Sequence, residues 1–383
     1  MGDDSGEHGL ADFCRALPKV ELHAHIHGCV RPATLDELLR EEARRAGEAP
    51  RRLPAGRSMD ECFEMFDLIH HAVVSRSALH RVVVEAVEDF AAENVRYLEL
   101  RSTPRALERD GLTRADYVTE VVAALDECHA RADLNGIQVR LILSINRNQP
   151  LEVAEETVAL AMHWAFERKC RYIVGVDLSG HSERPESEFS RFEGVLERAR
   201  ASGLKLTIHF AEHFDDDEAQ RILSFGPDRV GHACCLSDTL YERMVAMRVP
   251  IEVCLTSNVY TLARYRKADE RCCSKETTAA LCECGFTSHP HRKLLTGEIG
   301  SASASAALSS SLPSVYPLSI STDDHGVLDT TLSNEYLRAA QSFSLSKSRL
   351  QMLAAAAVPL IFDKSEIPRL EKEFQALVDG SLA

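Results

Sequence analysis

Long apolar runs are absent from this chain of 383 residues. No stretch approaches the roughly 20 apolar residues that a membrane-spanning helix requires, so the sequence argues against a membrane protein. The N-terminal stretch MGDDSGEHG is acidic and glycine-rich, and it therefore lacks the basic and apolar segments of a secretory signal. Gly6 also stands where an N-myristoylation site has serine or threonine. We expect a cytosolic protein with no membrane partner.

Basic residues are outnumbered in this chain. It has 44 lysines and arginines against 59 aspartates and glutamates, which gives a net charge of −15. Nucleic-acid polymers are bound through basic surfaces, so we expect no such polymer as a partner. The charge balance still allows a small anionic substrate that one or two local arginines hold. Aromatic residues are only 6% of the chain, whereas hydrophobic residues make up 45%, which indicates a globular protein with a large core.

Short apolar segments recur along the chain with helical patterns between them. The eight segments are residues 19–26, 95–103, 139–147, 172–180, 204–212, 228–233, 251–258 and 317–324. Apolar strands that alternate with helices indicate a parallel sheet covered on both faces, either a (β/α)₈ barrel or an open doubly wound sheet. Polar residues stand at the C-terminal end of nearly every segment, and a barrel gathers those ends around one mouth. We therefore predict an α/β fold of the (β/α)₈ TIM-barrel type.

The remaining segments predict one domain. Residues 1–12 are expected to be a disordered tail, and residues 13–383 a single barrel domain. The Ser/Ala-rich stretch EIGSASASAALSSSLPSVY, residues 298–316, indicates a loop inserted before the eighth strand. Residues 350–362 and 367–378 have helical patterns that close the barrel.

Two histidines in the first segment suggest a metal site. His23 and His25 are separated by one residue, so on a strand both imidazoles point to the same side. His209 ends the fifth segment and Asp323 ends the eighth. Three imidazoles and one carboxylate suit Zn²⁺ and leave a position open for water. Four unrelated polar residues at the rim are the alternative, and their shared position at strand ends argues against it.

A zinc site of this kind supports hydrolysis. Zinc lowers the pKa of a bound water from about 15.7 towards about 7, which provides hydroxide at neutral pH. Glu212, three residues after His209, is a candidate proton donor to the leaving group, and His232 is a candidate for orienting the hydroxide. Asp324 follows Asp323, points in a different direction and is a candidate substrate contact. Glu212 could instead be a solvated carboxylate at the rim, and His232 a hydrogen-bonded histidine of the core.

Five motifs resemble, in order, the signature of a known family. They are KVELHAHIHG, VGVDLSG, H-x-x-E at residues 209–212, VGHA and STDD. The chain is similar in these motifs to adenosine and AMP deaminases, which are zinc-dependent (β/α)₈ enzymes of the amidohydrolase type. The resemblance extends from about residue 17 to beyond residue 340.

Other stretches are most similar to the branch of that family that acts on N6-methyl-AMP. They are YLELRSTPR (97–105), IEVCLTSN (251–258), ECFEMFDLIH (61–70) and STDDHGVLDTTLSNEY (321–336). The resemblance implies one zinc ion per chain and a hydrolysis that releases methylamine from C6 of N6-methyl-AMP and leaves IMP.

The resemblance also implies roles for individual residues. The implied zinc ligands are His23, His25, His209 and Asp323, with His25 also beside the substrate. Glu212 would protonate ring N1 and His232 would assist the hydroxide. Asp324, near N7, and the backbone of Gly180 would contact the purine.

A separate argument from residue types concerns the 5′-phosphate. Ser102, Thr103, Pro104 and Arg105 end the second strand, and Arg147 ends the third. Two guanidiniums and two hydroxyls that converge at the mouth suit a monophosphate, which a nucleoside enzyme would not need. Either arginine could instead pair with a neighbouring carboxylate. His70, on a helix that could cap the mouth, is a looser candidate for substrate contact.

Two positions depart from the family pattern. His27 stands where the family usually has Asp or Asn near the sugar, and we expect it to contact the ribose or a neighbouring group as a donor. Ala233 stands where the family commonly has glycine. The rival functions are adenosine deamination, another amidohydrolase reaction on an amide or lactone, and a catalytically silent purine-binding barrel. We expect a monomer with a purine nucleotide as substrate.

Overall fold

Eight parallel strands form the centre of the protein, whose computed structural model describes residues 4–54, 59–182, 187–262, 283–299 and 315–378. The strands are β1 (Lys19–His25), β2 (Val95–Ser102), β3 (Gln138–Asn146), β4 (Ile173–Ser179), β5 (Lys205–Phe210), β6 (Arg229–His232), β7 (Ile251–Val253) and β8 (Leu318–Ile320). Neighbours in the chain are neighbours in the sheet, from β1 through to β8. This order confirms the predicted (β/α)₈ barrel.

The barrel closes between its first and last strands at the C-terminal end. Ala24 forms a parallel bridge with Asp323. The His25 N–H donates to the Asp323 carbonyl at 3.0 Å, and the Asp323 N–H donates to the His23 carbonyl at 2.8 Å. Backbone bonds across the seam therefore hold three of the predicted ligand residues side by side.

Helices surround the barrel. They are α1 (Asp4–Ala16), α2 (Pro32–Ala46), α3 (Met59–Ala72), α4 (Arg76–Ala92), α5 (Arg114–Ala130), α6 (Leu151–Met162), α7 (Glu193–Ser202), α8 (Asp216–Phe225), α9 (Asp238–Met247), α10 (Leu255–Leu262), α11 (Glu283–Thr287), α12 (Arg292–Thr296), α13 (His325–Leu328), α14 (Leu332–Phe343), α15 (Lys347–Ala357) and α16 (Ile367–Val378). Local signals explain several of their ends. Pro32 begins α2, the left-handed Gly47 ends it, and the Ser75 side chain caps α4 by accepting from the Ala78 N–H.

Helix α1 differs from the expectation of a disordered tail over residues 1–12. Leu10 and Phe13 pack partly buried against the core, and Cys14 is fully buried. The Lys19 ammonium donates to the carbonyls of Cys14 and Leu17, at 2.7 and 2.6 Å, and so satisfies oxygens at the end of the helix. The burial of these apolar side chains and the donor to the terminal carbonyls explain why the helix forms at this end of the barrel.

The seventh predicted strand is also shorter than expected. Strand β7 ends at Val253, and helix α10 begins at Leu255, within the segment 251–258 that we predicted as a strand. The Thr256 N–H donates to a Glu335 carboxylate oxygen at 2.9 Å, and the Thr256 hydroxyl donates to the other oxygen. This buried anchor satisfies the first turn of the helix. It brings Ser257 and Asn258 to the mouth of the barrel.

Two observations bear on the remaining predictions of organisation. Among the helices of the described residues, none combines the length and apolar character needed to cross a membrane. Most of the predicted Ser/Ala-rich loop, residues 300–314, lies outside the described residues.

Candidate active site

A cavity of about 650 Å³ opens at the C-terminal ends of the strands. Polar side chains that follow or end β1, β5, β6 and β8 line its inner part, among them His25, His209, Glu212, His232 and Asp323. The sheet places them together because parallel strands in a barrel all end at the same mouth.

The four predicted zinc ligands converge. His25 Nε2 lies 3.1 Å from His209 Nε2 and 3.3 Å from Asp323 Oδ1, and His23 Nε2 lies 3.2 Å from the same Asp323 oxygen. His23 and Asp323 are buried, and the His25 side chain is 20% exposed. Three ring nitrogens around one carboxylate oxygen are a donor set that suits Zn²⁺.

His232 lies close enough to belong to the same cluster. The ligand atoms of His23, His209, His232 and Asp323 all lie within 4.8 Å of one another, and so do those of His25, Asp323 and Asp324. His232 Nε2 stands farther from the Asp323 carboxylate, at 4.0 Å, and it faces Glu212 Oε1 at 3.7 Å. These distances favour His25 over His232 as the fourth ligand and leave His232 facing Glu212.

Two carboxylates that the sequence analysis missed orient two of the predicted ligand histidines. Glu252 Oε2 lies 2.8 Å from His23 Nδ1, and Asp177 Oδ1 lies 3.0 Å from His209 Nδ1. Each carboxylate turns the Nε2 of its histidine towards the cluster, as the partners of metal-bound histidines do. Both residues stand within stretches that we had singled out, VGVDLSG and IEVCLTSN, and the signal was a buried acidic residue on an apolar strand.

Arg101 ties these two carboxylates together beneath the cluster. Its guanidinium is fully buried and donates to Glu252 Oε2 at 2.9 Å and to Asp177 Oδ1 at 3.5 Å. Gly231 gives the His23 ring its space, since a Cβ there would lie 2.8 Å from His23 Cε1. The base of the site is therefore closely packed, and each of the two carboxylates contacts both a histidine and Arg101, whose Nε alone has no partner among the described residues.

The charges of the cluster favour a cation. Burial and the Arg101 guanidinium act to lower the pKa of His23, but the carboxylates of Asp323 and Glu252 outweigh them and raise it to about 9. Burial opposes ionisation of Asp323 as well, yet the surrounding imidazoles hold its pKa well below the usual range. A positive charge on His23 is thus stabilised, whereas burial and the neighbouring imidazoles lower the pKa of His25 well below its usual range and keep its ring available as a neutral donor to a metal.

His232 and Asp324 have unusual protonation for their types. Burial lowers the pKa of His232 to about 4, against the pull of Glu212, so its imidazole is neutral at pH 7. Burial and the neighbouring Asp323 raise the pKa of Asp324 well above its usual range, so Asp324 can act as a hydrogen-bond donor. Gly28 makes room for it, because a Cβ at Gly28 would lie 1.7 Å from Asp324 Oδ1.

The outer end of the cavity carries basic groups. The rings of His27 and His70 lie 5.6 Å apart between centroids. Arg105 donates to the carbonyls of His70, at 3.3 Å, and Val73, and its Nε, like His27 Nε2, is buried without a hydrogen-bond partner among the described residues. Ser102, whose hydroxyl lies 2.6 Å from the Tyr117 hydroxyl, lines the cavity with Thr103 and Gly180.

Two predicted substrate contacts are not where we expected them. Arg147 is 1% exposed and donates to Glu218 Oε1 at 2.8 Å, and it does not line the cavity. The ion-pair alternative is therefore correct for this arginine, because Glu218 lies within reach at the start of α8. Pro104 is buried and is not part of the cavity wall either.

Apolar side chains that the sequence analysis did not single out complete the wall. They are Cys62, Phe66, Val327 and Leu328, from α3 and α13. A flat heteroaromatic ring can bury its faces against such groups while its edge meets Glu212 and Asp324.

Comparison with known proteins gives the family. A family model described as "Adenosine deaminase" matches residues 18–275. The "N6-mAMP deaminase" of Arabidopsis thaliana is 34% identical over 93% of this chain and 95% of its own length. The chain belongs to the adenosine deaminase family. Membership confirms the family predicted from the five motifs, and it agrees with the His/Asp cluster, since the family is metal-dependent.

Solved structures in the adenosine deaminase family share the architecture. The crystal structure of Arabidopsis ADAL complexed with IMP aligns with a TM-score of 0.77 and 32% identity, covering 97% of this chain and 98% of that one. The same protein complexed with GMP aligns with a TM-score of 0.78 and 33% identity, over 97% and 98% of the two chains.

Proposed function

We propose that this protein is a zinc-dependent hydrolase that converts N6-methyl-AMP and water to IMP and methylamine. The observation that carries the proposal is that one and the same cavity has the cluster of three histidines and Asp323 at one end and basic side chains at the other. The names of the relatives, which include an N6-mAMP deaminase and a protein bound to IMP, support the choice of substrate.

Zinc fits the inner end. His23, His25, His209 and Asp323 would hold it, and their donor atoms are of the type and number that zinc prefers. When bound, the ion supplies a water acidic enough to lose its proton near neutral pH. The expected loading is one ion per chain.

The chain's own residues then bind the purine and move protons. Glu212, which lines the cavity with a side chain 32% exposed, would take the proton that the water loses and pass it to ring N1. It would then carry the proton of the added hydroxyl to the departing nitrogen, so that methylamine leaves and the 6-oxo ring of IMP remains. Burial and Asp323 raise the pKa of Asp324, which favours its protonated form, and in that form it would donate to N7, which a carboxylate could not do. The Gly180 backbone contacts the edge of the ring, and the His25 ring lies beside the bound purine.

The outer end would hold the 5′-phosphate. Arg105, His27 and His70 supply positive charge or N–H donors there, and Ser102 and Thr103 supply hydroxyls. We therefore assign His27 as a hydrogen-bond donor to the phosphate or the ribose rather than as a metal ligand. Arg147 and Pro104 do not line the cavity and would not contact the phosphate.

A substrate panel tests the proposal directly. The zinc-loaded protein is assayed with N6-methyl-AMP, AMP, N6-methyladenosine and adenosine, and the products are identified as IMP, inosine, methylamine or ammonia. We expect the highest kcat/KM for N6-methyl-AMP. A higher value for adenosine would establish the nucleoside reaction instead. One observation favours that alternative, since both terminal nitrogens of Arg105 already donate to backbone carbonyls.

Metal analysis separates an enzyme from a silent barrel. We expect one zinc per chain, in a monomer that works in the cytosol, and loss of turnover on removal of the metal. A metal-free preparation that still binds nucleotide and cannot be activated by zinc would favour a purine-binding protein. Sedimentation of the same preparation gives the oligomeric state.

A further inference from the structure

The side of His232 that faces away from the cavity is connected to a chain of hydrogen bonds. Asn258 Nδ2 lies 2.9 Å from His232 Nδ1, and Asn258 Oδ1 lies 3.3 Å from His289 Nε2. The backbone N–H of His291 reaches His289 Nδ1 at 3.2 Å. All four residues are buried, with at most 2% of each exposed.

The backbone N–H of His291, at the far end of this series of hydrogen bonds, determines the direction of each bond in it. A backbone N–H can only donate, so His289 Nδ1 must accept and carries no proton. The proton of neutral His289 is then on Nε2, which donates to the Asn258 carbonyl oxygen. The Asn258 amide nitrogen in turn donates to His232 Nδ1. The proton of neutral His232 is therefore on Nε2, the atom that faces Glu212 Oε1.

A second contact holds the backbone of the same residue. His291 Nε2 lies 2.6 Å from the His232 carbonyl oxygen, and the Tyr241 hydroxyl lies 3.4 Å from His291 Nδ1. His232 and Ala233 both have left-handed backbones, with φ of 62° and 57°. Such conformations are unfavourable for residues other than glycine and persist where surrounding contacts hold them. The loop at residues 289–291 thus fixes both the backbone and the ring of His232.

We propose that Asn258 and His289 are positioning residues that hold His232 in the tautomer protonated at Nε2. The Nε2–H of His232 then donates a hydrogen bond to the attacking oxygen. The same bond stabilises the negative charge that develops on this oxygen once it is bonded to C6. It does not accept the proton of the attacking water, which leaves Glu212 as the group that moves protons in the cavity. This inference rests on the proposed function for its kinetic part only.

Ring ¹⁵N NMR of the zinc-loaded protein tests the tautomer without any turnover. The two ring nitrogens of a neutral histidine give well-separated signals according to which of them carries the proton. A His232→Gln variant lacks the two His232 signals, so comparison of its spectrum with that of the original protein identifies them. We expect a protonated Nε2 and an unprotonated Nδ1. The opposite assignment in the unmodified protein would overturn the proposal, even if the substrate panel had failed.

Asn258→Asp tests the consequence for the reaction. The carboxylate is nearly isosteric but can only accept from His232, so it draws the proton to Nδ1 and leaves Nε2 bare. We expect kcat to fall by about 10²-fold or more, as wrong-tautomer variants of catalytic histidines do, with KM and zinc content within about threefold of the original. In the spectrum, the two His232 signals should exchange character.

Two further variants separate the tautomer from charge and packing. Asn334→Asp adds the same charge at an exposed position of α14 and should leave kcat unchanged. His289→Gln keeps an N–H donor towards Asn258, so it should retain far more activity than Asn258→Asp. A kcat of Asn258→Asp within about threefold of the original, or equal losses in Asn258→Asp and His289→Gln, would overturn the positioning role.

Discussion

The two ends of the cavity differ in how their basic side chains are paired. At the inner end, His23 and His209 each have a buried carboxylate on Nδ1, and His232 has Asn258. At the outer end, His27 Nε2 and Arg105 Nε have no hydrogen-bond partner in the part of the chain that the structure describes. The inner end also has ring nitrogens without a hydrogen-bond partner, His23 Nε2 and His232 Nε2, but each of them faces a carboxylate oxygen, at 3.2 and 3.7 Å, from a ring that a partner on Nδ1 already orients. The inner end is therefore oriented before a ligand binds, whereas the outer end offers donors to a ligand.

This difference also appears in the charges. Burial and then the Arg105 guanidinium lower the pKa values of both His27 and His70, and for His27 the neighbouring imidazoles add to the effect. Positive groups at the outer end thus oppose one another, and a bound anion would relieve that opposition. Changes at the inner end should remove the metal or the chemistry, and changes at the outer end should alter the choice between nucleotide and nucleoside.

The largest effect is expected for His25→Asn compared with His27→Asn. His25 Nε2 contacts both His209 and Asp323, so its loss should abolish zinc binding and lower kcat at least about 10³-fold, because the acidic water is lost. His27→Asn should keep one zinc per chain and most of the activity. Metal analysis and kcat of both variants check this, and a loss of zinc in His27→Asn would make His27 a ligand.

Glu252→Gln should lower the affinity for zinc without changing a predicted ligand. The amide still occupies the space but no longer holds His23 Nδ1 through a carboxylate, so we expect zinc affinity to fall roughly 10–100-fold. Competition with a chelator measures the affinity. Glu99→Gln is the matched control, since Glu99 is equally buried and pairs with Arg229 but contacts no ligand histidine. Equal zinc affinities in the two variants would show that burial of charge, rather than orientation of His23, is what matters.

The site residues were predicted best where the strand pattern and the chemistry of the side chains indicate the same positions. His23, His25 and His209 lie in the C-terminal halves of their strands and Asp323 follows β8, so a correct barrel prediction was enough to bring them together. Glu252 and Asp177 were missed because a residue's own type does not reveal which side chain it faces from a neighbouring strand. Arg147 was misassigned for a related reason, since its partner Glu218 is on a helix 71 positions later in the chain. The chain's N-terminal helix depends on tertiary contacts that a local pattern does not contain.

Arg105→Gln and Arg147→Gln form a pair that tests the outer end. Removing a hydrogen bond from a charged group costs about 1.5–3 kcal/mol, so Arg105→Gln should reduce the preference for AMP over adenosine roughly 10–100-fold. Arg147→Gln breaks a buried ion pair with Glu218, so it should lower the free energy of unfolding by about 3–5 kcal/mol and leave the preference unchanged. Values of kcat/KM for both substrates, with urea unfolding, check the pair. Equal preference in the original and Arg105→Gln would place the phosphate elsewhere.

The smallest effect concerns the left-handed backbone at the inner end. Ala233, with φ of 57° and a fully buried side chain, bears a conformational cost of about 1–2 kcal/mol that glycine would not. Ala233→Gly also loses a buried methyl group worth about 0.8 kcal/mol, so its free energy of unfolding should change by about 0 to +1 kcal/mol. Ala154→Gly loses a buried methyl group from the helix α6, where glycine is itself unfavourable, and should destabilise the protein by about 2 kcal/mol. Urea unfolding measures both values. Equal destabilisation would mean that the Ala233 backbone is not strained, and that the contact from His291 alone accounts for the position of His232.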